Sequence, residues 1–65
     1  MILTETQDIL LDGLIAFGVE KGLIIGIMLM LNDESKQYRL MEWMADNPGA
    51  TPENILEQAL EIDLS

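Results

Sequence analysis

The fold turns on one stretch, Gly22-Leu23-Ile24-Ile25-Gly26-Ile27-Met28-Leu29-Met30-Leu31, which carries no charge. Leu23 to Leu31 is apolar on every side, so strand and helix periodicities fit it equally well. The surroundings decide between them. No other segment alternates with period two or has enough β-branched residues to pair with it, and a lone strand leaves its backbone N–H and C=O groups unsatisfied. The stretch therefore reads as a helix over 23–31. A helix without a polar face is expected to be buried all round, and three short neighbours can scarcely enclose one. That is a first pointer to a second copy of the chain. The run is also much shorter than the roughly 20 apolar residues that span a bilayer, so no membrane association is expected.

Toward the N-terminus, Thr4 and Thr6 are both placed to cap a helix, because a hydroxyl ahead of the first turn accepts from an orphan N–H. Leu10, Leu11, Leu14, Ile15 and Phe17 follow at helical spacing, flanked by Glu5, Asp8 and Asp12. The pattern predicts a helix over 6–21, with acids near its start and Lys21 at its end as the helix dipole favours. Gly22 then reads as the left-handed residue that stops it. Gly18, Gly22 and Gly26 are spaced by four and would share a face of one continuous helix. Glu20 and Lys21 lie inside that span, so two helices are the preferred reading, with Gly18 and Gly26 as packing contacts. Gly13 has no assigned role.

Toward the C-terminus, Asn32 and Asp33 can cap a helix over 33–46 that places Leu40, Met41 and Met44 on one stripe with Trp43 beside it. Lys36 and Arg39 lie on it, and Arg39, three residues before Glu42, reads as half of a surface ion pair. Asn47-Pro48-Gly49-Ala50-Thr51-Pro52 is firm punctuation: Pro-Gly for a turn, Thr51 as N-cap, Pro52 at the first helical position. The last helix, over 52–63, sets Ile55, Leu56, Ala59, Leu60 and Ile62 inward and Glu53, Asn54, Glu57, Gln58 and Glu61 outward. The expectation is an all-α array or bundle of about four short helices forming one domain over 1–65.

Composition narrows function mainly by exclusion. The chain has 65 residues, no cysteine and no histidine, which removes disulfides, thiolate and imidazole metal sites and the usual nucleophile and base pairs. Four short helices leave little room for a cleft that would perturb paired carboxylates. Neither a phosphate-binding glycine loop nor a calcium loop is present, since Asn32-Asp33-Glu34-Ser35 lacks the alternating ligands and central glycine. The expectation is a non-enzyme without cofactor or metal.

Twelve acidic against three basic side chains give a net charge of −9, which argues against direct nucleic-acid binding. The acidic stretch before Asp12 lacks the basic n-region of a secretory signal, so a cytoplasmic protein is expected. A small scaffold without disulfides or metals gains stability from self-association, and a two-fold dimer is the commonest outcome. The candidate interface is Leu23, Ile24, Ile27, Met28, Met30, Leu31, Met41, Trp43 and Met44, in which methionines offer an adaptable surface. The alternative is an acidic inhibitor or nucleic-acid mimic that fills a basic groove on a partner protein. Its candidate surface is the ladder Glu53, Glu57 and Glu61, together with Glu5, Asp8 and Asp12.

Overall fold

Local signals set the helix starts in the computed structural model, which describes residues 3–65. Thr4 opens α1 (Glu5–Ala16) with a reciprocal box: its Oγ1 accepts from Gln7 N at 3.1 Å, and Gln7 Oε1 accepts from Thr4 N at 2.9 Å. Thr51 opens α4 (Pro52–Leu64) in the same way with Asn54, and Pro52 stands in its first turn. Asp33 opens α3 (Glu34–Asp46) by accepting from Ser35 N at 3.0 Å. Only α2 (Lys21–Met30) starts without a side-chain cap, on Glu20. No strand is formed among the described residues.

The boundary between the first two helices differs from the sequence expectation. α1 stops at Ala16, and the left-handed residue is Gly18, with φ +79°, rather than Gly22. Gly18 N donates to Ile15 O and Val19 N to Leu14 O, both at 3.0 Å, which is the paired bonding of a Schellman end. That motif is completed by an apolar contact between the residue after the glycine and one five positions earlier. Val19 and Leu14 stand at those two positions, and both belong to the buried apolar cluster. A stop at Gly22 would have set Leu23 against Gly18, which has no side chain to meet it. Gly22 lies instead in the first turn of α2, and Lys21 occupies the positive end of a helix dipole rather than the negative one.

The four helices form a closed ring of contacts. α1 packs on α2 and α3, and α4 packs on the same two. Leu10, Leu14, Ile27, Leu31, Leu40, Ile55, Ala59 and Ile62 fill the centre and are almost wholly shielded, the larger ones contributing about 1.5–3 kcal/mol each. A radius of gyration of 10.5 Å matches the roughly 11 Å expected for a compact chain of this length. Leu60, expected inside, is 45% exposed. Ile15 also faces out, because the register that turns Thr6, Leu10 and Leu14 into the core carries Ile15 off that stripe.

Two buried polar groups are built into this core. Thr6, within α1 rather than capping it, donates from Oγ1 to Glu34 Oε1 at 2.9 Å and so ties α1 to the start of α3. Gln37 donates from Nε2 to Leu31 O at 2.7 Å and satisfies a carbonyl at the end of α2. Gly13 also acquires a role, since the Met44 methyl lies 3.3 Å from where a Cβ would stand.

Candidate functional site

The residues expected to form an interface divide by depth. Ile24, Ile27, Leu31 and Met44 belong to the chain's own core, Ile27 being 1% exposed. Leu23, Met28, Met30, Met41 and Trp43 are half-buried against that core. The outermost apolar side chains of the central stretch are two others, Ile25 at 52% and Leu29 at 72% exposure.

α2 is apolar all round but enclosed only on the sides that meet α1 and α4. Gly22, Ile25, Gly26 and Leu29 form its outer stripe, all exposed, at the spacing of one helix face. Apart from the local helix backbone and the two adjacent residues, no heavy atom comes within 4 Å of a Cβ placed on Gly26. Beside the stripe, Leu3, Gln7 and Leu11 meet Ile24, Ile25, Met28 and Leu29 around a cleft of about 230 Å3 with largely apolar walls. The surface of α2 thus continues into α1 without a carboxylate between them.

A second apolar recess, of about 390 Å3, runs between α1 and α3, lined by Ile9, Gly13, Phe17, Met41, Ala45 and Pro48. The two helices run side by side in the same direction, as the Thr6–Glu34 bond near their starts and the Gly13–Met44 contact further along require. A third recess, of about 480 Å3, gathers Thr4, Gln7, Asn32, Asp33, Glu34 and Gln37. Most of its polar groups are engaged: Thr4, Gln7 and Asp33 in caps, Glu34 with Thr6, and Gln37 with Leu31 O.

The acidic candidates all lie in solvent. Glu53, Glu57 and Glu61 line the outer face of α4, and Glu5, Asp8 and Asp12 are exposed on α1. Lys36 and Arg39 are directed to the end of α4: Lys36 Nζ donates to Asp63 O at 3.1 Å, and Arg39 Nη1 to Ser65 Oγ at 2.8 Å. Two cations thereby meet the negative end of a helix that has no basic residue in its own last turn. α2 differs from the other three helices in sign. It contains no carboxylate and one lysine, while α1, α3 and α4 each carry several acids.

Among the described residues no three carboxylates converge closely enough to hold a metal ion. None of the helices there is long and apolar enough to cross a membrane. Comparison with known proteins gives no match, whether to a family model, a curated protein or a solved structure.

Proposed function

We propose that the protein is a small cytoplasmic interaction module without chemistry of its own, which pairs with a second copy through the outer face of α2. The observation that carries this reading is the coincidence of exposed Ile25 and Leu29 with the one helix free of carboxylates. Two copies that each bear a charge of −9 repel, and α2 is the face on which they can meet with least juxtaposition of like charge. Gly22 and Gly26 flank the two large side chains on that stripe and would let a second backbone come close, while Leu11 and Met28 offer a cleft for the incoming Leu29. In a two-fold arrangement each copy presents the same patch, so every apolar contact occurs twice.

The test is the mass in solution. Light scattering and sedimentation from micromolar to millimolar concentration are expected to show a 7.3 kDa monomer giving way to a dimer, with a melting temperature that rises with concentration. Leu29→Asp, at a position that folding leaves exposed, is expected to weaken association by about a hundredfold, roughly 2.7 kcal/mol, with helical content intact. A wild-type protein that stays monomeric throughout, with a concentration-independent melt, overturns the proposal.

A further inference from the structure

The groove between α1 and α3 lies apart from the α2 face and differs from it in electrostatic surroundings. Its floor is apolar, with the methionine side chains of Met41 and Met44 beneath a rim of Ile9, Ala45 and Pro48. Acids border it on both sides by helical register. On α1, Glu5 and Asp12 neighbour Ile9 at i−4 and i+3; on α3, Glu42 neighbours Ala45 at i−3, and all three are exposed. Tyr38, 49% exposed, neighbours Met41 at i−3 and adds a large amphipathic side chain to the same edge. Neither cation of α3 offsets this rim, because Lys36 and Arg39 reach toward the end of α4.

An apolar trough between acidic banks selects its occupant by charge. A second copy of this chain would bring carboxylates against carboxylates here through α1, α3 or α4, and its one carboxylate-free helix, α2, offers Lys21 as its single cation, which favours a more basic kind of molecule. We propose that the α1–α3 groove docks a basic amphipathic helix of a partner protein, whose apolar stripe enters the trough while its lysines or arginines face Glu5, Asp12 and Glu42. A volume of about 390 Å3 falls within the range of natural recognition pockets and admits a large apolar anchor residue. Methionines on the floor can adjust to the anchor's shape. Helix-in-groove recognition uses anchors spaced at i, i+3 or i+4 and i+7, and the groove follows the length of α1 from Ile9 to Phe17.

The experiment uses a fluorescein-labelled synthetic peptide of about 16 residues, with leucines at helical spacing and lysines elsewhere, titrated by anisotropy into the full chain. A scrambled peptide of the same composition, which has no apolar stripe, is the control. Expected are saturable binding of the first peptide only, weakening as salt rises, and amide shift changes clustered on Ile9, Gly13, Phe17, Met41 and Ala45. Ala45→Gln, which lays an uncharged polar side chain over the trough, is expected to weaken binding about tenfold with folding unchanged. The pair Asp12→Lys with Glu42→Lys is expected to weaken it and flatten its salt dependence. Leu29→Asp is expected to leave it intact. Equal binding of the scrambled peptide, loss of binding in Leu29→Asp, indifference to Ala45→Gln, or no binding at about millimolar peptide would each overturn the proposal.

Discussion

At position 18 the backbone is left-handed, with φ +79°, a conformation in which a Cβ is strained whatever space surrounds it. Gly18→Ala is therefore expected to destabilise by about 1 kcal/mol or somewhat more in urea unfolding. Gly22 lies in a helix, where a Cβ would meet only a glutamate tip at 3.5 Å, so Gly22→Ala is expected to be neutral or to stabilise by up to about 1 kcal/mol. The opposite order would place the helix stop at Gly22. Gln37 is a second residue with a measurable share of the fold, because its amide is the partner of a buried carbonyl. Gln37→Leu leaves Leu31 O without that partner and is expected to lower stability by about 1–3 kcal/mol, seen as a lower denaturant midpoint at unchanged slope.

Among the elements, α4 depends on its neighbour for an electrostatic end-cap. Lys36→Met keeps much of the aliphatic stem but removes the ammonium from Asp63 O, and is expected to cost about 0.3–1 kcal/mol. Amide exchange should accelerate in the last turn of α4 while its first turn, held by Thr51, is unaffected. How far each element can be read in the sequence follows from where its signals lie. The start of α4 is fully legible, since the Thr51-Pro52 signal is local and the structure places the cap where it predicts. The end of α1 carries a less direct signal, because two glycines compete for the stop and the choice rests on which has apolar residues at both Schellman positions: Gly18 does, with Leu14 and Val19, and Gly22 does not. α2 is legible as a helix but not as to its outward side, since a helix apolar all round has no polar stripe to mark solvent. Ile25 and Leu29 could be identified only once α1 and α4 were in place. Gln37 and Thr6 did leave a signal: each is a polar residue on an apolar stripe, Gln37 with Leu40, Met41 and Met44, and Thr6 with Leu10 and Leu14. The Arg39–Glu42 spacing likewise suggested a partner within α3, whereas the bond formed by Arg39 runs across to Ser65.

For the molecule as a whole, salt separates the two proposed surfaces, since pairing through α2 should strengthen with it while peptide capture in the α1–α3 groove should weaken. Raising ionic strength from about 20 to about 300 mM shortens the Debye length from about 20 to about 6 Å. Repulsion within and between copies carrying −9 then falls, so the melting temperature and self-association through α2 are both expected to rise. Thermal melts and sedimentation along one salt series check this, and a dimer that dissociates with salt would mean that ion pairs, not α2, hold it. The ring in which the helices meet has a consequence in time. α1 with α2, and α3 with α4, are helical hairpins joined by only a few residues, so each can begin to form with little loop-closure entropy. Neither hairpin shields both sides of its apolar face until α1 reaches α3 and α2 reaches α4. Such a chain is expected to fold in the microsecond-to-millisecond range of proteins with mainly local contacts, with the docking of the two hairpins as its slow step. Stopped-flow or temperature-jump relaxation checks the rate, and substitutions at the α1–α3 and α2–α4 contacts that leave the folding rate unchanged would place the barrier elsewhere.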